Sequence, residues 1–525
     1  MRLLEAQMKT QWDAIVIGSG IGGLAAAAAL ADADKKALVL ERHAKAGGLT
    51  QTFERQGFRF NVGVHYLGGL GEGQINRRLF DHLSGGRIRF APIPGAYDRL
   101  HFPDLTLDFA PPQTALRATL KNAFPEEAAG IDKYFAALAD GARALGNVFT
   151  IRSAPWPIAT PVAWSNRQAI ERWVGRTTWE VVCDCTADER LRAVLTAQWG
   201  DYGSRPLDGS FAAHALVMQH YLDGAWYPVG GSGVFAQELG KTIQAAGGEV
   251  RTSAEVTAIR VQGKQVAGVT LANGEAIDCA RVISDIGLHN TLRRLPSSEI
   301  DYQWMSDGYD MQPSMGYVGL YLGLEGDIAA HGADAANRWF FDDWDINRLW
   351  RDPFDEPRAP ALFVSFPSLR DPAHEPGPAR RHTAEVVALV DWSAFAQWDR
   401  SDPTGGLRPE TAAGRESYAA FKDLLHRNLR AQFDQRFPGL APMVKMSEVS
   451  TPISVAHYTG AEHGAMYGLE TTPRRFLTPA LRPRTPVRGL HLAGQDAGTP
   501  GVTGAFFGGL MAAASCEPKL WSLLR

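Results

Sequence analysis

Cysteine is scarce, with only Cys183, Cys185, Cys279 and Cys516 in a chain of 525 residues. That count excludes a disulfide framework, and the single residue between Cys183 and Cys185 matches neither the CxxC redox spacing nor a zinc-ligand pair. The four read as structural, and no metal site is expected. A dominant charge is also missing: 53 basic residues face 57 acidic ones, for a formal net charge of −4. A nucleic-acid partner held by phosphate neutralisation is therefore not expected. Long apolar runs are absent as well. The stretch Leu24 to Ala31 follows the glycines of Gly18 to Gly23 and is closed by Asp32, Asp34, Lys35 and Lys36, well short of the roughly 20 residues that a spanning helix needs. Met1 to Trp12 lack the apolar core of an export signal. These absences predict a reducing, cytoplasmic setting and leave open a peripheral seat on the inner face of a membrane.

Glycine is plentiful, and its most informative use is local. Ala14 to Ile17 is a short apolar run of the kind that forms a strand buried on both faces of a parallel sheet. Gly18-Ser-Gly20-Ile-Gly22-Gly23 follows, and then a helical stretch. Gly18 permits the tight turn, Gly20 lets backbone approach a pyrophosphate, and Gly23 lets helix pack on strand. The helix start then offers unpaired amides and a positive dipole end. A second apolar run, Ala37 to Leu40, ends at Glu41, 23 residues after Gly18. That is near the roughly 20-residue offset at which an acid accepts hydrogen bonds from ribose hydroxyls. A bare GxGxxG is weak, but strand, helix, second strand and acid in register predict a bound dinucleotide.

The chain is long enough for two or more domains, and the cofactor unit reads as discontinuous, made of residues 11–75, 225–300 and 486–525. Within it, Val234 to Ala246 reads as a helix. Glu249 to Val261, Val266 to Leu271 and Ala276 to Ser284 read as strands, with Asn273-Gly274 offering a hairpin turn. Near the end, Gly489 to Gly494 reads as a buried strand and Thr503 to Ala514 as a small-residue helix. Residues 76–224 and 301–485 hold most of the 14 tryptophans and are expected to form a substrate-binding domain. There, Arg167 to Val182 reads as one helix with Ile170, Trp173, Val174 and Val181 on one face, suited to its own core or to a membrane surface. The proline-rich stretches Ala154 to Pro161 and Asp352 to Pro360 read as loops.

Four islands carry a resemblance to a known family. Glu41-Arg42 is followed by Gly47-Gly48-Leu49; Gly489 to Gly494 is followed by Gln495-Asp496 and by Gly501-Val502-Thr503; Gly57 to Tyr66 includes His65-Tyr66; and Thr451-Pro452 precedes His457-Tyr458 and Gly464 to Gly468. With these the chain resembles the FAD-dependent superfamily of phytoene desaturases, carotenoid isomerases, retinol saturases and amine oxidases. Gly494-Gln495-Asp496, where Gly-Asp is the familiar order, and His65-Tyr66 resemble the retinol saturase branch most.

The resemblance implies an α/β fold: a Rossmann-like FAD-binding domain of the glutathione reductase and amine oxidase type, with a discontinuous α+β substrate domain. It implies FAD held by Gly18, Gly20, Gly22, Gly23, Glu41, Arg42, Gly47, Gly48, Leu49, Val256, Gly494, Gln495, Asp496, Val502 and Thr503. It implies an oxidoreductase that saturates, desaturates or isomerises C=C bonds of a long apolar isoprenoid, carotenoid-like or retinoid-like. A polyene offers no polar handle and a saturating step needs a proton as well as a hydride, so His65, Tyr66, Tyr467 and Gln495 are the candidate proton donors or orienting groups. His457, Glu462 and His463 form a further polar cluster without a metal-ligand pattern. No dedicated NAD(P) domain is legible, which leaves the electron donor open. Two other readings stand beside this one: a flavin amine oxidase, which calls for a different C-terminal motif, and a non-redox prenyl-binding protein, which has no use for an intact fingerprint.

Overall fold

The computed structural model describes residues 11–154, 156–348, 358–399 and 411–524. Most of the segment Met1 to Trp12 and of the Asp352 to Pro360 stretch lies outside the described residues. One sheet is parallel throughout, with the strands in the order Leu490–Leu492, Val282–Ser284, Ala14–Ile17, Ala37–Leu40 and Glu249–Arg251. Every residue of its two apolar runs Ala14–Ile17 and Ala37–Leu40 is buried, as helices on both faces require. The chain reverses its direction of progress across the sheet at the first strand, which opens a crevice at the strand C-termini where ligands of such sheets bind. The helix Ile21–Asp32 starts there, and its alanine face lies against the glycine-rich helix Gly501–Cys516.

The second large sheet has seven strands in the order Val444–Ser450, Gly316–Glu325, Arg381–Val390, Ala361–Ser365, Asn337–Phe341, Asp98–Phe102 and Leu105–Phe109. All its neighbours are antiparallel except Asn337–Phe341 and Asp98–Phe102, which run parallel. Strands far apart in sequence thereby share one surface. A three-stranded antiparallel sheet, Val256–Gln262, Gln265–Leu271 and Ala276–Asp278, flanks the parallel one, and the turn at Asn273-Gly274 joins its last two strands.

Four expected elements differ. The Arg167 to Val182 helix is two: Trp156–Trp173 and Thr178–Cys185. The first ends as the Val174 and Gly175 amides both close on the Ile170 carbonyl, and Thr177 with Glu180 forms a capping box that starts the second. The expected loop Ala154 to Pro161 is largely the start of the first helix, with Pro161 inside it. The Glu249 to Val261 strand breaks after Arg251 because the Ser253 and Ala254 amides turn to the carbonyls of His43 and Glu41. Ala276 to Ser284 is two strands, since the chain leaves the antiparallel sheet at Asp278 and enters the parallel one at Val282.

Candidate functional site

The crevice is a cleft lined by Gly18, Gly20, Gly22, Glu41, Arg42, Gly47, Gly48 and Leu49, by His65, Tyr467 and Gln495, and by Val256, Asp496 and Val502. Two helices enter it without side-chain caps. Gly20 caps Ile21–Asp32 with no side-chain hydrogen bond and no acid in the first turn, and Pro500 leaves Gly501–Cys516 equally uncapped. Uncapped amides and the helix dipole suit a diphosphate. The cradle is built for backbone approach: a Cβ on Gly48 would stand 3.2 Å from Gly20 Cα, and Gly18 and Gly47 hold φ of +93° and +123°, where side chains are strained. These features fit an extended dinucleotide.

Glu41 is buried, and its carboxylate is already oriented. Oε2 accepts from the Ser19 amide at 3.0 Å and the Ser19 hydroxyl at 2.6 Å, and Oε1 accepts from the His43 amide at 2.8 Å. Oε1 keeps acceptor capacity for a ribose hydroxyl. The Arg42 guanidinium donates to the Ala456 and His457 carbonyls, tying the cofactor loop to the Pro452–Thr459 helix. The Asp496 oxygens accept from the Leu288 amide at 2.8 Å and the Leu469 amide at 3.0 Å, so this acid joins three chain segments. Gln495 is held at its carbonyl by the buried Arg475, which also donates to the Leu469 carbonyl. Gly23 and Gly494 stand behind the cleft wall, packed on Gly18 and on Gly22 respectively. Thr503 faces an adjoining pocket, with Oγ1 3.4 Å from His220 Nε2.

Beside His65 and Tyr467 the cleft adjoins an apolar pocket walled by Trp199, Trp339, Phe341, Leu362, Phe363 and Leu389. His65 and Tyr467 line the cleft, this pocket and the adjoining one alike. His65 Nδ1 lies 3.1 Å from Glu385 Oε2, and Phe363 packs edge-on against the ring at 4.8 Å. Glu385 is buried, and its other oxygen accepts from the Asn61 amide. Tyr66 does not reach the cofactor cleft. It lies in the adjoining pocket, stacked on Tyr221 at 4.4 Å. His457 and His463 stand apart from this junction: Glu462 pairs with Arg293, and His463 stacks on Trp392. Among the described residues, no cluster of three or more His, Cys, Asp or Glu is arranged to hold a metal ion.

Sequence reasoning missed Asp285, Glu385, Asp98 and Asp201. Asp285 follows the strand Val282–Ser284 into the crevice. A Cβ on Gly20 would stand 2.6 Å from its Oδ2, and one on Gly22 2.5 Å from its Oδ1. Burial pushes its carboxyl up to about 8, against the pull of the Gly23 amide and with the charges of Glu41 and Asp496 adding to the rise. Its position at a strand end after an apolar run was the available signal; nothing marked the strand as the neighbour of the fingerprint.

Comparison with known proteins agrees with this geometry. The model of the family described as flavin containing amine oxidoreductase matches residues 21–325. An all-trans-retinol 13,14-reductase of Danio rerio is 30% identical, over 97% of this chain and 86% of its own length. A chloroplastic prolycopene isomerase of Daucus carota is 27% identical, over 96% of this chain and 79% of its own. Among solved structures, an oxidoreductase from Methanosarcina mazei superposes with a TM-score of 0.58 at 16% identity, covering 95% of this chain and 98% of that one, which shows a shared fold. The chain thus belongs to the flavin containing amine oxidoreductase family, in its retinol saturase and carotenoid isomerase branch, and its cofactor is FAD.

Proposed function

We propose that this protein is an FAD-dependent oxidoreductase that saturates, desaturates or isomerises C=C bonds of a long apolar isoprenoid, of carotenoid or retinoid type. The observation that carries the reading is the join at His65 and Tyr467, where a dinucleotide cleft passes into a pocket walled by tryptophan, phenylalanine and leucine. The names of the relatives, a retinol reductase and a prolycopene isomerase, point to the same substrate class. Bound FAD supplies two-electron chemistry at such a join.

The remaining work falls to the chain. Gly18, Gly20, Gly22 and the uncapped helix starts hold the diphosphate; Glu41 holds a ribose; Gly47, Gly48, Leu49 and Val256 line the path of the cofactor. Glu385 stands against the His65 ring, and Tyr467 with Gln495 orients substrate at the mouth of the apolar pocket. Residues 11–75, 225–300 and 486–525 form the FAD-binding domain in this reading, and 76–224 with 301–485 form the substrate domain. Its support is that the parallel sheet draws its strands from the first set and the seven-stranded sheet from the second. The test is anaerobic photoreduction of the bound flavin, followed by a panel that includes all-trans-retinol and prolycopene, with product mass as the readout. A gain of two hydrogens marks saturation, and unchanged mass with altered retention marks isomerisation. With the oxidised flavin, a loss of two hydrogens marks desaturation, and failure of every polyene to react with either flavin state overturns the proposal.

Peripheral membrane contact belongs to the same proposal. No helix among the described residues is long and apolar enough to cross a membrane, yet Trp164 is 85% exposed and Ile158 40% on the helix Trp156–Trp173, with Arg167 and Arg172 on the same helix. Tryptophan and arginine on one exposed helix suit the lipid interface. Trp164→Ala is expected to lower sedimentation with anionic vesicles several-fold while flavin content stays unchanged; equal sedimentation would rule this helix out.

A further inference from the structure

Tyr66 has one hydroxyl hydrogen and two carboxyls close to it. Asp201 Oδ2 lies 2.6 Å from the phenol oxygen and Asp98 Oδ2 lies 3.0 Å from it. Ionised carboxylates only accept. With both acids charged, one of these two approaches would set lone pairs against each other in a buried site, so the arrangement needs a second proton on one of the carboxyls.

The surrounding donors say which one. Asp98 accepts from Gln198 Nε2 at 2.5 Å and from Asn337 Nδ2 at 2.8 Å, and such donors favour the anion. Asp201 has only Tyr66 as a side-chain hydrogen-bond partner among the described residues, and it lines the apolar pocket beside Trp199 and Trp339. We infer that Asp201 is a neutral carboxylic acid that donates to the Tyr66 oxygen while Tyr66 donates to Asp98, and that Asp201 is the general acid that protonates the substrate polyene. The inference rests on the function proposed above.

The titration behaviour agrees. Burial pushes the Asp201 carboxyl well above the usual carboxylate range, and the charge of Asp98 adds to it. Burial also raises Asp98, but its hydrogen-bond donors, Asn337 first, hold it to about 6. The other titratable groups facing the pair are Tyr97, Tyr221 and Tyr467. His65 and His220 share the pockets of Asp201, and burial keeps His220 neutral by pushing it down to about 4. The buried Arg370 is occupied by the carbonyls of Ala335 and His65. A neutral acid kept in an apolar site is a known way to run acid chemistry near neutral pH.

In saturation the π pair of one double bond forms a C–H bond with the Asp201 proton. The neighbouring carbon takes up a hydride, and the reductant, oxidised by two electrons, is the reduced flavin of the proposed function. Asp201, left anionic beside Asp98, regains its proton from water. Because the acid form acts, turnover is flat at low pH and falls as pH rises through the raised pKa of Asp201. Removing the charge of Asp98 lowers that pKa, so the falling limb moves to lower pH.

Two measurements on the FAD-loaded protein test this. Infrared difference spectra, wild type minus Asp201→Asn, recorded in H2O and D2O at neutral pH are expected to show a carboxylic-acid C=O band of Asp201, while other protonated carboxyls such as Asp285 are common to both proteins and cancel. In Asp98→Asn the band should persist but titrate away at lower pH. With a reacting polyene, Asp201→Asn should slow saturation by about 10²–10⁴-fold with the flavin absorbance unchanged, and Asp98→Asn should shift the alkaline limb. A difference spectrum without that band, or a wild-type saturation rate in Asp201→Asn, overturns the inference. If Asp201→Asn does not fold, an Asp98→Asn profile identical to wild type overturns it. If no polyene reacts with the wild type, the proposed function fails, and the infrared band alone decides where the proton sits.

Discussion

Gly22→Ala is expected to leave the protein almost free of flavin. A Cβ at this position would lie 2.5 Å from Gly494 Cα, 2.8 Å from the Gly494 nitrogen and 2.5 Å from Asp285 Oδ1. Two of those three atoms are backbone, so no side-chain rotation relieves the clash. The N-terminal fingerprint and the C-terminal strand end would have to separate, and FAD needs both. Overpacking costs typically about 1–3 kcal/mol; here that cost falls on the geometry of the site itself, so loss of flavin should exceed the loss of thermal stability. Gly146→Ala is the control. It lies within the helix Ala128–Ser153 with nothing within 4 Å of its added Cβ, and should stabilise by roughly 0.5–1 kcal/mol. Flavin absorbance per protein after gel filtration is the readout, and wild-type occupancy in Gly22→Ala would show that the two segments are free to part.

That prediction separates what the sequence made legible from what it did not. Gly18 to Glu41 could be read because its parts are neighbours in the chain: the turn, the helix start and the acid sit within a single βαβ unit. Gly494 was legible as a motif, but its contact with Gly22 was not, because nothing local states that Leu490–Leu492 and Ala14–Ile17 flank the same strand, Val282–Ser284. The proton-holding residues were less legible still. Asp98 enters from a strand of the seven-stranded sheet, Asp201 from the end of the 3-10 helix Ala197–Asp201, and Tyr66 from a loop. Carboxyls brought together by packing between distant segments leave no spacing to read. The misread Arg167 to Val182 helix teaches a different lesson. Its apolar periodicity continues across the break, and only Gly175 with the Thr177 and Glu180 capping pair marks the end, so a breaker and a cap outweigh periodicity.

Asp285 gives the second large effect, and its sign follows from its surroundings. In the free protein burial holds the carboxyl up to about 8, so near neutral pH it is protonated and faces the diphosphate cradle without charge. FAD brings negative charge to that cradle and favours the protonated form further. Below about pH 8 the affinity should therefore be insensitive to pH. Above it, binding must take up one proton, and the dissociation constant should rise toward tenfold per pH unit. The same linkage acts on folding: a carboxyl whose folded pKa is raised contributes its stability at low pH and loses it as pH rises through the folded value. Asp285→Asn keeps the size and removes the charge, so its FAD affinity should stay level from about pH 7 to about pH 9 while the wild type weakens. Glu41 and Asp496 remain in both proteins and cancel in the comparison. Flavin fluorescence titration at each pH measures both constants. A flat wild-type profile, or an equal slope in Asp285→Asn, would place the neutral acid elsewhere and leave Asp285 as packing for Gly20, Gly22, Gly23 and Gly494 around it.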